Sequence, residues 1–278
     1  MQESGECLKF DPLNAPGLSL QAAVIKAAHR HGLLTVAHAT NLRETMLVLE
    51  AGVDGLAHQF FDKPHTDELI DAYKKHGAFV VPTLVAVNSM IGLGSSNEFA
   101  QDPRAILKLK ESSKACLCNH MSIALPYCDV QYAYDCVKAL KSAGIDIVWL
   151  VSSLLLRIRM TSLAPSCVSR PLTINSGTDS AAGIQGTALG ASVHHELSLY
   201  VQHCKFSPIE ALQSSTSVAA RRFGLSDRGI IAEGKKADIV LVRGNPTVDI
   251  SDTLNIERVW KHGVLHHVPS GPEKQTCW

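Results

Sequence analysis

The feature that most limits how this chain can fold is a unit repeated about four times in its first 150 residues: a helix, a glycine, then a short apolar run. After Ser19, a candidate N-cap, the residues Leu20, Ala23, Val24, Ala27 and Ala28 recur at helical spacing, and Gly32 closes the helix. Leu33 to His38 then reads as a buried strand. The next unit has a helix over Leu42 to Glu50, Gly52, and a strand over Val53 to His58. In the third, Thr66-Asp67-Glu68 caps a helix carrying Leu69, Ile70 and Tyr73, Gly77 ends it, and Phe79 to Leu84 forms a strand. Pro82 limits how far that strand can extend a ladder. A long polar segment follows, then a helix over Val130 to Ala143, Gly144, and a strand beginning at Ile145. This alternation predicts right-handed βαβ crossovers and a parallel sheet, either closed as a barrel or open and doubly wound.

The ends of these strands carry the candidate chemistry. Val36-Ala37-His38-Ala39, Gly55-Leu56-Ala57-His58-Gln59 and Ser176-Gly177-Thr178-Asp179-Ser180 each place one metal-ligand type of side chain just after small, apolar residues. In a (β/α) barrel the C-terminal strand ends are where active sites sit. Zinc hydrolysis needs nitrogen or oxygen ligands, an open coordination position and a base. His38, His58 and Asp179 are the candidate metal ligands, and Asp179 is also the candidate proton shuttle. Taken singly, each histidine fits a packed strand end, and Asp179 fits an N-cap of the next helix. The shared setting of all three favours ligation.

Other histidines are weaker candidates. His29-Arg30-His31 lies at a helix C-terminus, where cationic side chains favour the dipole. His194-His195-Glu196 lies within a helix, where neighbours point about a hundred degrees apart, so packing or a substrate-facing role fits better than ligation. His120 beside Cys116 and Cys118 lacks zinc-finger spacing, and His266-His267 falls in the tail.

Composition excludes several classes. Lys+Arg and Asp+Glu both number 26, so no basic surplus points to nucleic acid or an anionic membrane. Aromatics at 5% argue against a base-stacking surface. The apolar stretch from Ile145 to Leu156 contains Asp146 and falls short of the ~20 residues a bilayer span needs. The N-terminus has no signal-peptide design, and the eight cysteines contain no C-x-x-C pair, so a soluble, cytoplasmic protein with reduced thiols is expected.

The tail changes character. A helix from about Ala188 to His203, a second opened by Pro208 and a third segment over Ala219 to Gly224 complete the α/β part. Gly229-Ile230-Ile231, Gly234 to Val242 and Ile256 to Val264 then read as short strands joined by turns. The predicted division is 1–225 for the α/β part and 226–278 for the β segment. Residues 149–175 stand apart: they contain no Asp, Glu, Lys or Gly, and Leu, Ser and Arg fill 14 of the 27 positions. Translated intron sequence and a genuine loop insertion both fit. Transcripts spliced from Val148 to Ser176 would support the first; reads through the segment would support the second.

The motifs from Ala22 to Val264, leaving out 149–175, resemble the metal-dependent amidohydrolase superfamily in its imidazolonepropionase-like and Xaa-Pro dipeptidase-like branch. The resemblance is most specific in Ser176 to Ser180, in Ser207-Pro208-Ile209-Glu210-Ala211-Leu212, in Thr216 with Ala219 to Leu225, and in Asp227 to Val240. It implies a distorted (β/α)₈ TIM-like barrel with a small β-sandwich, of which this chain would supply the second half of the barrel and a C-terminal sandwich remnant. It implies one or two divalent metals, usually zinc, and a small amide or dipeptide-like substrate. His38 and His58 match the ligands after the fifth and sixth strands, and Asp179 the aspartate after the eighth. The family's H-x-H pair and its bridging lysine have no counterpart here, and the chain starts mid-barrel on this reading. Two functions therefore remain open: a metallohydrolase of C–N bonds, or a truncated, catalytically inactive relative. A half barrel leaves edge strands and apolar faces uncovered, so poor folding is expected; a soluble monomer that melts cooperatively would contradict this.

Overall fold

A computed structural model describes residues 17–106, 109–123, 126–149 and 185–266. In chain order the elements are α1 (Leu18–Arg30), β1 (Val36–His38), α2 (Leu42–Glu50), β2 (Gly55–Ala57), α3 (Asp67–His76), β3 (Phe79–Val81), α4 (Leu84–Ile91), α5 (Ser95–Phe99), α6 (Pro103–Ile106), α7 (Glu111–Leu117), α8 (Val130–Ser142), α9 (Ala191–His203), α10 (Pro208–Ser214), α11 (Ser217–Arg222) and β4 (Ile239–Val242). A 3₁₀ turn (Ile250–Leu254), β5 (Ile256–Lys261) and β6 (Val264–His266) follow. They form two compact units, Met1–Thr83 with Pro126–Gly177, and Leu84–Leu125 with Thr178–Trp278.

The first unit is the predicted α/β repeat. β1, β2 and β3 are parallel neighbours in that order, with Val36 beside Gly55 and Gly55 beside Phe79. A further parallel bridge pairs Val80 with Ile147, which puts the segment after α8 next to β3. Leu49, Leu56, Leu69, Val80, Val137 and Leu140 are fully buried and form the core between the sheet and its helices.

Local sequence explains where the helices begin and end. Asn41 caps α2 by accepting from Glu44 N–H at 2.9 Å, and Thr66 caps α3 by accepting from Leu69 N–H at 3.3 Å. Gly77 ends α3 in the left-handed region at φ 62°, where a glycine carries no Cβ penalty. Gly55 answers a different need. A Cβ there would lie inside the ring of Phe79 on the neighbouring strand, so only glycine lets the two strands pack at this register.

The strands are shorter than the apolar runs that predict them. Leu33 and Leu34 remain partly exposed, and the Asp54 carboxylate accepts from both Thr35 N–H and Thr35 Oγ1–H at 2.7 Å. Side-chain hydrogen bonding thus takes up backbone that would otherwise extend β1, and Asp54 itself precedes β2. β3 stops at Val81 because Pro82 has no N–H and Thr83 turns at φ 54°. Leu84, read as strand, instead starts α4. The segment beyond it, read as long and polar, folds into four helices, α4 to α7, the first of them largely buried.

In the second unit α4 packs on α9, and α10 packs on α9 and α11. Ser207 opens α10 with a capping box: its hydroxyl accepts from Glu210 N–H at 3.3 Å, while Glu210 Oε2 accepts from Ser207 N–H at 2.8 Å. β4, β5 and β6 form a three-stranded antiparallel sheet. Gly229-Ile230-Ile231, read as a strand, is a bend with both isoleucines exposed. The segment over Gly234 to Val242 keeps strand geometry only from Ile239. Ion pairs organise what precedes it: Asp227 bonds Arg228 Nε at 2.9 Å and Lys236 Nζ at 2.6 Å, and Asp238 accepts from His262 N–H at 2.7 Å. Hydrogen bonds from Arg228 and Lys236, with their charges adding to them, hold the Asp227 carboxyl well below the usual carboxylate range. Asp227, Lys236 and Asp238, which carry part of the resemblance noted above, therefore act in the fold.

Candidate metal centre

The parallel ladder continues past the named strands and fixes the candidate ligands at one level. Ala39 N–H donates to Ala57 C=O at 2.8 Å, and Gln59 N–H donates to Pro82 C=O at 2.9 Å. These two bonds bracket His38, His58 and Thr83 at the C-terminal ends of adjacent strands. His38 Nδ1 and His58 Nε2 stand 2.6 Å apart, with ring centroids separated by 4.6 Å. On its other side, His58 Nδ1 lies 2.7 Å from Thr83 Oγ1. His58 and Thr83 are buried, and His38 is partly so.

Thr83 occupies a backbone region that β-branched residues avoid, at a cost of about 1–3 kcal/mol, and such strain clusters at functional positions. It follows a proline that ends a strand, the local signal that the sequence carries for this turn.

The donor set fits part of a zinc site: two imidazole nitrogens converge on one point from neighbouring strand ends. Zinc–nitrogen bonds of about 2.0–2.1 Å at tetrahedral angles hold two such nitrogens roughly 3.3 Å apart. The observed 2.6 Å is the length of a hydrogen bond between the rings, so binding requires them to open by well under 1 Å. Among the described residues no group of three His, Cys, Asp or Glu side chains converges, and Asp179 lies outside those residues. So does almost all of 149–175, apart from Trp149, which is buried.

Two helical histidines fall where helix geometry puts them. His29 is in the last turn of α1 and bonds Asp54 Oδ2 at 2.8 Å. His195 is buried and stacks on Phe99 with centroids 4.9 Å apart, and burial pushes its imidazole down to about 4. Its neighbour Glu196 is fully buried and reaches the N-terminus of α4. There it accepts from Leu84 N–H at 2.7 Å and Val85 N–H at 2.9 Å. Burial pushes this carboxyl up to about 7, against the two N–H groups and the Tyr200 phenol, which favour its charged form. The helix-capping use of Glu196 has no local signature, because its partners lie 111 and 112 residues away.

Fold and strand ends together define an α/β protein with a histidine pair at the C-terminal ends of adjacent parallel strands. Residues 9–266 match the amidohydrolase family, and the chain belongs to it. Over 58 residues it is 50% identical to adenine deaminase 2 of Desulfotalea psychrophila, covering 21% of this chain and 9% of that protein. Over 70 residues it is 37% identical to the imidazolonepropionase of Deinococcus deserti, covering 24% and 18%. Among solved structures, a Xaa-Pro dipeptidase with bound methionine in its active site aligns at TM-score 0.60 and 24% identity, over 91% of this chain and 50% of that one. Ochratoxinase of A. niger aligns at 0.58 and 18%, over 90% and 45%. The chain thus shares their fold and spans about half the length of these structures. No helix among the described residues is long and apolar enough to cross a membrane.

Proposed function

We propose that the chain is the second half of an amidohydrolase (β/α)₈ barrel (residues 1–225, with 149–175 an insertion), followed by part of a small β-sandwich (226–278). Its function is metal-dependent hydrolysis of amide, cyclic amide or related C–N bonds in small or dipeptide-like substrates. The observation that carries this reading is the convergence of His38 Nδ1 and His58 Nε2, 2.6 Å apart, at the C-terminal ends of adjacent parallel strands. The family match over 9–266 and the C–N chemistry in the names of its relatives support it.

His38 and His58 would hold the ion with Asp179 as a third ligand. When bound, a divalent ion, zinc for this donor set, supplies Lewis acidity: it acidifies water and polarises a scissile carbonyl. Asp179 takes the proton from the attacking water and passes it to the leaving nitrogen, the task of a carboxylate near neutral pH. The buried strand ends keep bulk water from His58 and so strengthen electrostatics around it.

The test is zinc uptake by equilibrium dialysis, followed by hydrolysis assays on small amides, cyclic amides and Xaa-Pro dipeptides. The expected result is uptake that His38→Ala and His58→Ala abolish, and hydrolysis that Asp179→Asn abolishes. Uptake unchanged in both histidine variants would overturn the site. Specific uptake without hydrolysis of any of these substrates would favour an inactive amidohydrolase relative.

A further inference from the structure

The geometry assigns Thr83 as a positioning residue: its hydroxyl accepts a hydrogen bond from His58 Nδ1–H and so leaves His58 Nε2 bare to face His38 and a metal. The assignment rests on the reading of His58 as a ligand, and adds to it the group that sets the ring's tautomer. Three observations carry it. The Oγ1–Nδ1 distance of 2.7 Å places the two groups in direct hydrogen-bond contact. Both residues are buried, so bulk water does not compete for that nitrogen. The Thr83 backbone is held at φ 54°, a conformation a β-branched residue adopts only when its surroundings impose it. Here Val81 closes β3 on one side, the Gln59–Pro82 backbone bond of 2.9 Å anchors the turn, and Leu84 begins α4 on the other.

The chemistry commits to one arrangement. A histidine ligates through a nitrogen without a proton, and the proton on its other nitrogen needs an acceptor. A threonine hydroxyl has two acceptor lone pairs, so it can take the Nδ1 proton and still donate elsewhere. The reverse arrangement, with Thr83 donating to Nδ1, would place a proton on Nε2 and turn it against a cation.

The test combines ring tautomers with zinc affinity. Long-range ¹H–¹⁵N correlation spectra of the whole chain at pH 8 should show His58 protonated at Nδ1. A neutral His58 protonated at Nε2 would overturn the assignment without any variant. Thr83→Val keeps the β-branch and drops the hydroxyl, and should weaken zinc binding roughly 10- to 100-fold in chelator competition, the usual effect of losing a ligand's outer partner. Thr83→Ser should bind like the parent. If His58→Ala loses zinc but Thr83→Val stays within twofold of the parent, Thr83 has no positioning role and the ligand reading stands. If His58→Ala binds zinc unchanged, both readings fall. Melting curves of each variant confirm that affinities compare folded chains, and the parent's tautomer decides the question if Thr83→Val does not fold.

Discussion

Replacing Glu196 by glutamine should remove a large pH dependence from the stability of this chain. Glu196 is fully buried, and burial pushes its carboxyl up to about 7, whereas an unfolded glutamate titrates near 4.5. Between those values the folded state binds a proton that the unfolded state has released, so stability falls as pH rises. The contribution is fully present below about 4.5 and is lost as pH passes through about 7. At about 1.4 kcal/mol per pH unit, the gap amounts to about 3 kcal/mol. Glutamine does not titrate, and its amide oxygen can still accept from Leu84 N–H or Val85 N–H. Urea titrations of parent and Glu196→Gln at half-unit steps from pH 4 to pH 8, followed by circular dichroism, give the difference directly. Every other titrating group is common to both proteins and cancels. The variant's stability relative to the parent should improve by about 3 kcal/mol across that range, with most of the change between pH 5 and 7. Parallel curves, with a difference constant to within about 0.5 kcal/mol, would show that Glu196 ionises normally in the folded chain and that its burial does not govern its charge.

Further outcomes follow from packing and capping. Gly55→Ala forces a Cβ into the Phe79 ring and should cost about 1–3 kcal/mol in urea unfolding, where a tolerated alanine would mean that the strands can part. Ser207→Ala removes the hydroxyl half of the α10 capping box and should cost about 1 kcal/mol in thermal melting, with Ser207→Asp restoring most of it. If the pair ligates as proposed, His38→Ala and His58→Ala should each reduce zinc affinity at least tenfold, about 1.4 kcal/mol, by chelator competition, and a loss that vanishes at high salt would point to nonspecific charge attraction instead.

The repeat of helix, glycine and strand was readable because its signals are local. Asn41, Thr66 and Gly77 bound α2 and α3 through groups three or four residues away, and apolar spacing marks the buried faces. His38 and His58 were readable as candidates for the same reason: each directly follows or ends a short apolar strand. Signals that depend on distant partners were not legible. Leu84, which reads as the last residue of a strand, instead opens a helix whose first two N–H groups are taken by Glu196. Thr35 leaves β1 because Asp54, 19 residues on, takes up both its N–H and its hydroxyl. Thr83 escaped notice because a hydroxyl beside an imidazole has no sequence period. Only the pairing of β2 with β3 brings it to His58.

The notch at Gly55 reaches beyond packing. Three-residue strands form few ladder bonds, so little in their hydrogen bonding resists sliding by one position. The Phe79 ring, seated where a Cβ would be, acts as a dowel between β2 and β3. It keeps the ends of β2 and β3 flush, and with them the height at which the His58 ring meets the Thr83 hydroxyl. A scan for loss of function would therefore flag Gly55, three residues from the nearest imidazole and carrying no chemistry of its own, as though it were part of the site.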